Sequence, residues 1–536
     1  MRSGSALTFL SDTRGAVAAT YALAIPVLVA IAGVGMDYGR MVALDTELQN
    51  AADQASLAAV TQLDGSSGSM ERAISAAQGG LVSNFTRMGN DGDTPAIDVP
   101  TATVIFYTTR ANAEAGTNGF TDTTRFAEAR FVQLNVETRG ARYALTPLVG
   151  AFGTILSAQA TAGIGSAICK VPPVMICNPS ETLTNLGFDA VALRGAGLRL
   201  VSVGGGNGGW APGNFGYLNN NGGSNGAPGI REGLGWNTPP GDCLAQTGVN
   251  TKPGASVSVT DALNTRFDVY DSNVSCPTGG SCGASINSVK DLVRPANANG
   301  GNACRLHNSG WQEVPSAQRY LPTSATTALP VATVPGAMGH PRDMCHAVDG
   351  SAAGACTGPV GNGLWDRDAY FRSHYLRSSG TRWTAANWQF NTGLPSNATR
   401  YEVYKWEYEH RGNVVDGVTV LGPNPAGATG NTKVAYGAPQ CSAGQGYGSG
   451  IVPAATVPDR RRISVAVVNC TAASVNGSST NVPVVKWIDV FLVQPSVARD
   501  RTSAGDIYGE VIGETQSGAG QTAGQVVRRD VPYIIR

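Results

Sequence analysis

The sequence has few charged residues. Charged side chains make up 14% of the 536 residues, against about 25% in average soluble domains. Basic and acidic residues balance at 38 each, which excludes the strongly basic surface typical of a nucleic-acid-binding protein. Gly, Ser, Thr and Asn stand in place of the missing charge. This composition is typical of exported, β-rich proteins.

The first third of the chain also lacks cysteine, tryptophan, histidine and lysine. All ten cysteines lie at or beyond Cys169, and the first lysine is Lys170. An even number of cysteines in an exported segment favours a disulfide framework. Short spacing nominates three pairs: Cys169 with Cys177, Cys276 with Cys282, and Cys345 with Cys356. Spacing alone leaves the connectivity open.

Between Gly15 and Met36 the chain has no charged side chain at all. About 20 apolar residues are enough to cross a hydrocarbon core of ~30 Å. A polar-apolar stretch with helical spacing follows as far as Val60. We therefore expect one long amino-terminal helix, half in lipid and half in water.

Three interpretations of the apolar run stay open. The favoured one is a retained single-pass anchor, with Arg2 and Arg14 inside and the remainder exported. In the second, a signal peptidase cuts after Ala32, which closes a small-x-small motif. The third is processing after Gly15, as in type IV prepilins, but the fifth following residue is Thr20 rather than the usual Glu.

Small apolar residues recur behind this run at three- and four-residue steps. They predict a helix-packing stripe made of Met41, Leu44, Leu48, Ala51 and Ala55. The stripe covers either the protein's own domain, which is favoured, or a partner helix. Gly35 and Gly39, at the membrane exit, would let two helices approach closely.

Four features of residues 14–60 form a pattern. They are the Arg14-Gly15 start, the Ala-Leu-Ala-Ile-Pro core ending at Pro26, the exit formed by Asp37, Tyr38, Gly39 and Arg40, and the Leu-Gln-x-Ala-Ala-Asp-x-Ala run from Leu48 to Ala55. In these features the segment resembles TadE/TadG-like proteins of the bacterial Flp (tight adherence) pilus system, and TadG-related members look closest. The resemblance implies a pilin-like arrangement, with a long helix laid on a small sheet.

Many TadG-like proteins also carry a von Willebrand A domain, whose metal site begins Asp-x-Ser-x-Ser. After Asp64 the second serine position is occupied by Gly68, which has no hydroxyl ligand. We therefore expect a turn here and a member without that domain.

Several short motifs after Cys169 mimic functional sites. They are the glycine run 204–209, the G-x-S-x-G matches at Ser224 and Ser281, and the possible zinc cluster of His340, Asp343, Cys345 and His346. The glycine run lacks the following helix that a dinucleotide site needs, and neither serine follows a strand-to-helix pattern. We therefore predict no catalytic residue, metal site or cofactor.

The remaining patterns predict β-strands. Arg462–Asn469 and Val482–Val493 are rich in β-branched residues and are expected at the centre of a sheet. Tyr401–Tyr408 is also predicted as a strand, with Tyr404, Trp406 and Tyr408 on one face. These aromatic rings either fill a core, which is favoured, or form a platform that stacks on sugars.

The predicted fold is α+β: a long amino-terminal transmembrane and pilin-like helix with a small sheet, then a β-rich, Gly-rich, disulfide-containing domain. The expected divisions are a cytoplasmic segment (1–14), a transmembrane helix (15–36), a pilin-like part (37–168) and a cysteine-containing domain (169–536). Through the resemblance, we expect a non-enzymatic pilus-assembly component in the bacterial inner membrane. Its bulk would be periplasmic or surface-exposed, with pilin-like subunits as partners and adhesion to a surface or glycan as a further contact. The alternative is an anchored carbohydrate-binding or hydrolytic module.

Overall fold

The chain folds into two compact units. Unit 1 comprises Met1–Gly165 together with Asp530–Arg536, and unit 2 comprises Ser166–Arg529. The computed structural model describes residues 16–63, 66–79, 97–126, 128–138, 141–142, 153–202, 210–219, 226–241, 244–245, 248–252, 259–271, 275–322, 324–347, 356, 358–422, 429–441, 459–498, 506–515 and 527–535.

Unit 1 is a long helix on a small sheet. Its helices are α1 (Ala16–Val60), α2 (Ser69–Gln78) and α3 (Arg110–Ala115). Its strands are β1 (Ile97–Asp98), β2 (Ile105–Tyr107), β3 (Phe131–Thr138), β4 (Ala141–Arg142), β5 (Gly153–Thr154), β6 (Ser157–Cys169), which ends in unit 2, and the last strand of the chain, Val527–Ile535.

The core of unit 1 lies between α1 and the sheet. β3 runs antiparallel to β6, pairing Phe131 with Gly163 and Glu137 with Ser157. Val132, Leu134 and Val136 alternate toward the helix and are buried there. This confirms the period-two strand pattern, because alternate side chains of a strand point to the same face.

Unit 2 is β-rich. Its strands are β7 (Val174–Cys177), β8 (Gly197–Ser202), β9 (Asn214–Leu218), β10 (Leu244–Ala245), β11 (Gly248–Val249), β12 (Thr251–Lys252), β13 (Leu292–Pro295), β14 (Gln312–Glu313), β15 (Val414–Val415), β16 (Val418–Thr419), β17 (Lys433–Val434), β18 (Arg462–Val468), β19 (Val482–Leu492) and β20 (Ile507–Glu514). We number the chain's last strand, Val527–Ile535, as β21.

The main sheet of unit 2 closes on itself. β19 pairs with β18 on one side and with β20 on the other, which joins β7, β8, β9, β18, β19 and β20 into a ring. The ring encloses alternate apolar side chains, among them Ile463, Val465 and Val467 of β18. The predicted strands at Arg462–Asn469 and Val482–Val493 are therefore confirmed, and a closed ring protects their edges.

The disulfides of unit 2 include long-range links. The structure forms Cys276–Cys282 and Cys345–Cys356, as spacing predicted. The predicted Cys169–Cys177 pair is wrong. β7 lies parallel to β18 with Cys177 opposite Val468, so Cys177 bonds instead to Cys470, with Cα atoms 5.2 Å apart. A further bond joins Cys304 to Cys441, and Cys169 is itself disulfide-bonded.

The helices of unit 2 are short. They are α4 (Ala227–Gly235), α5 (Asp261–Asn264), α6 (Met344–Ala347), α7 (Arg367–His374), α8 (Ala385–Thr392) and α9 (Arg400–Glu409). α9 corrects the strand predicted at Tyr401–Tyr408. Thr399 Oγ1 accepts from the Glu402 amide at 3.1 Å, and Glu402 Oε2 accepts from the Thr399 amide at 2.9 Å. This capping box starts a helix.

Fully buried arginines hold the loops of unit 2 together. Arg461 donates from Nη1 to the Asn287 and Val289 carbonyls, both at 3.3 Å, and from Nη2 to the Val493 carbonyl at 3.1 Å. Arg460 donates to the Gly283 and Trp236 carbonyls. Loop carbonyls inside a protein need such donors, because an unpaired buried polar group is costly.

Candidate functional site

The first half of α1 exposes apolar side chains around its circumference. Leu23, Ile31 and Met36 are 76%, 65% and 70% exposed. In the most apolar window of Thr20–Val60, 11% of the residues are buried. A core helix hides its apolar face, whereas this one presents it to the surroundings. Its length and composition are those of a membrane span.

The second half of α1 is buried in unit 1. Leu48, Ala51 and Ala55 are fully buried against the sheet, Leu44 is nearly so, and Met41 packs at the edge of the same cluster. The predicted stripe therefore covers the protein's own domain. A charge placed at Leu48 or Ala55 would therefore disrupt the core of unit 1.

The glycine pair Gly35 and Gly39 has no role in packing among the described residues. A Cβ built on Gly35 or Gly39 meets no atom within 4 Å. Between them, Asp37 is buried and Tyr38 is exposed. Arg40 is half-buried, and Pro26 lies inside the helix. Space at both glycines leaves this helix face open to close approach by another helix.

The boundaries of α1 nearly coincide with those of a segment that matches a known protein family. The family described as "Putative Flp pilus-assembly TadE/G-like" (Tad) matches residues 15–62. Residues 15–62 are similar to this family, and we call them the Tad-like domain. Neither a curated protein nor a solved structure matches the chain significantly. Within the Tad-like domain, α1 accounts for Ala16–Val60. The predicted motif residues Arg14 and Gly15 lie outside the described residues.

A buried cluster of ionisable side chains around Glu407 lies in unit 2, outside the Tad-like domain. Glu407 Oε1 accepts from the Tyr370 and Tyr375 hydroxyls at 2.7 and 2.9 Å. Its Oε2 accepts from Asn287 Nδ2 at 2.6 Å and lies 3.7 Å from His340 Nε2. Burial raises the pKa of Glu407 to about 7 and holds the pKa of His340 well below its usual value.

Altered pKa values of this kind often mark catalytic groups. Here both side chains are almost completely buried, with 0% exposure for His340 and 1% for Glu407. Every Glu407 oxygen is already hydrogen-bonded to a neighbouring side chain. A substrate would have to displace this packing to reach them. The cluster therefore fits a structural role, and sequence spacing gave no sign of it.

The residues of the possible zinc cluster, for which we predict no metal, are held by other contacts in the structure. Asp343 forms an ion pair with Arg400 and accepts from the Gly363 amide at 2.8 Å. Cys345 is in a disulfide. His346 binds the Tyr508 hydroxyl through Nδ1 and the Gly358 carbonyl through Nε2. In the part of the chain that the structure describes, no group of three His, Cys, Asp or Glu residues is placed to hold a metal ion.

The other predicted motifs also have local explanations. Tyr404 and Trp406 are buried on α9, so they do not form an exposed sugar platform. Ser281 lies beside the Cys276–Cys282 disulfide, where its carbonyl accepts from the Asn237 amide at 2.6 Å. Asp64, the run at Gly204 and Ser224 lie outside the described residues.

One pocket of unit 2 is lined by Glu313, Arg319, Tyr320, Arg342 and His346 around an apolar floor. Its volume is about 80 Å³. Ligand pockets usually have a volume of ~300 Å³ or more. The pocket gives no support to a carbohydrate-binding or hydrolytic role.

Proposed function

We propose that this protein is a membrane-anchored structural or assembly component of a Flp/Tad-type pilus, acting by protein-protein association rather than by catalysis. The observation that carries the proposal is that the family match at residues 15–62 falls on one helix, Ala16–Val60, whose first half exposes apolar side chains and whose second half is buried in unit 1. At ~1.5 Å per residue, its 45 residues span ~68 Å. That length is enough to cross a bilayer and continue into unit 1.

The proposed topology places the residues before α1 in the cytoplasm and both units outside the inner membrane. Disulfide bonds throughout unit 2 support this, because they persist in oxidising compartments. Retention of the anchor is supported by the continuity of α1 through Ala32, since a cut there would divide a helix. The other pilin-like subunits of the apparatus are the proposed partners.

The contact surface that we propose is the open face at Gly35 and Gly39, because the helix-packing stripe from Met41 to Ala55 already packs against the sheet of unit 1. The test is the double variant Gly35→Leu/Gly39→Leu, whose new side chains would block close approach. Interhelical polar contacts in membranes are worth about 1–2 kcal/mol, and we take the same scale for this close contact. We therefore expect co-purification with Flp pilus-assembly proteins to fall by roughly 5- to 30-fold.

The matched control is Val27→Leu/Ile31→Leu, about two turns earlier on the same helix, where both native side chains are exposed. Detergent-solubilised membranes are crosslinked, and the captured proteins are identified by mass spectrometry. Equal recovery with both variants would reject the glycine face as the contact. Failure of the unaltered protein to capture any pilus-assembly protein would contradict the pilus role itself.

A further inference from the structure

The last strand of the chain completes the sheet of unit 1. β21 pairs with one edge of β6. The other edge of β6 pairs with β3, from Ser157 to Gly163. Without β21, backbone groups of β6 would form an unpaired sheet edge, which is a template for adding another strand. The strand that fills this position comes from the far end of the sequence.

Side chains of β21 also fill a cluster on the sheet face opposite α1. Ile535 is buried with Tyr107 and Phe131. The Tyr533 ring meets the Phe131 ring edge-on, with centroids 6.5 Å apart. Gly163 makes room for this contact, because a Cβ there would lie 2.4 Å from Phe131 and 3.3 Å from Tyr533. The segment is therefore recognised by its side chains as well as by its backbone.

β21 has the features of an edge strand. Among the described strands it pairs with β6 alone. It contains Pro532, which has no amide proton to donate to a further strand, and proline within sheets is confined mainly to edges. β21 thus completes the sheet while discouraging further growth from its own outer side.

The rest of the chain separates β21 from its acceptor. Unit 2 begins inside β6, at Ser166, and ends inside β21, at Arg529, so most of unit 2 lies between the two strands in sequence. The last strand of the ring, β20, ends at Glu514, and twelve residues (515–526) separate it from Val527. Covalent geometry limits the reach of twelve residues to about 40 Å. The strand can therefore reach an acceptor some distance from its own unit 2.

We propose that the β6 edge of unit 1 is a strand-acceptor site whose ligand is Val527–Ile535 of a second copy of this chain, so that neighbouring copies are linked by strand exchange. Exchange of an identical element recreates the same contacts between copies and has a low energetic cost. Backbone pairing supplies affinity and the pockets for Tyr533 and Ile535 supply specificity. Copies anchored in one membrane meet at high effective concentration. The inference does not depend on the pilus role.

The first experiment co-expresses two full-length, differently tagged chains. The acceptor variant lacks residues 527–536, and the donor variant carries Gly163→Val, whose added methyl groups clash with Phe131 and block its own acceptor site. We expect acceptor and donor to purify together, at least 10-fold above a pair of acceptor variants. Recovery no greater than that of the acceptor pair would overturn the proposal.

A second experiment does not depend on the folding of the donor variant. A fluorescent peptide of residues 527–536 is titrated onto the acceptor variant and onto the intact chain in detergent, with binding read by polarisation. A control peptide carries Tyr533→Asp and Ile535→Asp. We expect the native peptide to bind the acceptor variant at least 10-fold more tightly than the control peptide does, and to bind the intact chain weakly.

Tryptophan fluorescence reports on unit 2, because every tryptophan lies at or beyond Trp210. An acceptor variant whose unit 2 is folded and which binds neither peptide, or both equally, would overturn the strand-acceptor site. The result is separate from the test of the glycine face. Gly35→Leu/Gly39→Leu leaves strand exchange intact, and deletion of residues 527–536 leaves the helix face intact.

Discussion

The two units of this protein are stabilised by different kinds of interaction. Unit 1 has no cysteine, and α1 packs small side chains such as Ala51 and Ala55 directly onto its sheet. Unit 2 has long irregular connections, and it is crosslinked by disulfides and by buried arginines that bind loop carbonyls. Helices and sheets pair their own backbone groups, whereas buried loops need side-chain donors such as these arginines to do so.

The largest effect that this comparison predicts is on unit 2, when its long-range disulfide is removed. Cys177 and Cys470 are separated by 293 residues, whereas Cys276 and Cys282 are separated by 6. The chain-entropy relation assigns about 6 kcal/mol to the long loop and about 2 kcal/mol to the short one. Cys177→Ala/Cys470→Ala should therefore destabilise unit 2 far more than Cys276→Ala/Cys282→Ala.

Denaturant unfolding followed by tryptophan fluorescence measures this difference. In the same samples, hydrogen exchange of the α1 amides in unit 1 serves as the control, and it should not change. Equal destabilisation by the two cysteine pairs would show that closure of the ring, rather than the long crosslink, holds β7 beside β18. A change in α1 exchange would show that the two units are not independent in stability.

A smaller effect is expected from the buried carboxyl of unit 2. The pKa of Glu407 is raised to about 7 by burial, from an ordinary value of 4.5. Below pH ~4.5 the carboxyl is protonated in both the folded and the unfolded states, so its contribution to stability is fully present. As the pH rises from 4.5 through 7, the unfolded state ionises first and that contribution is lost.

The variant Glu407→Gln cannot ionise. The free energy of unfolding of the unaltered protein should therefore fall relative to that of Glu407→Gln between pH 5 and pH 8. Tyr370, Tyr375, Asn287, His340 and Arg461 face the group and are common to both proteins. Glu409→Gln, an exposed change on the same helix, should show no such trend. A pH-independent difference for Glu407→Gln would mean that Glu407 is ionised throughout.

Local patterns predicted much of unit 1. The uncharged run and the alanine spacing after it define α1, and the alternation of Val132, Leu134 and Val136 defines β3. α1 and β3 each form from residues that are close in sequence, so the period of their apolar residues predicts both elements. The contribution of β21 escaped prediction, because nothing local to Val527–Ile535 indicates that its partner is β6.

Prediction was weaker in unit 2 for the same physical reason. The Cys276–Cys282 bond closes a short loop, whereas Cys177 meets Cys470 only because β7 and β18 pair in parallel. The alternation of Tyr404 and Trp406 wrongly predicts a strand. Thr399 and Glu402 form a capping box, which indicates the start of a helix. The Glu407 cluster is assembled from distant segments and has no local signature.

The central claim is that the Tad-like domain is one helix that leaves the bilayer and continues into unit 1. Spin labels at Val29→Cys and Asn50→Cys, both exposed positions on α1, test it directly in the reconstituted full-length protein. We predict that the label at position 29 collides with oxygen, which partitions into lipid, more often than the label at position 50 does. The label at position 50 should collide more often with a water-soluble nickel complex than the label at position 29 does. Greater nickel accessibility at position 29 would contradict the account.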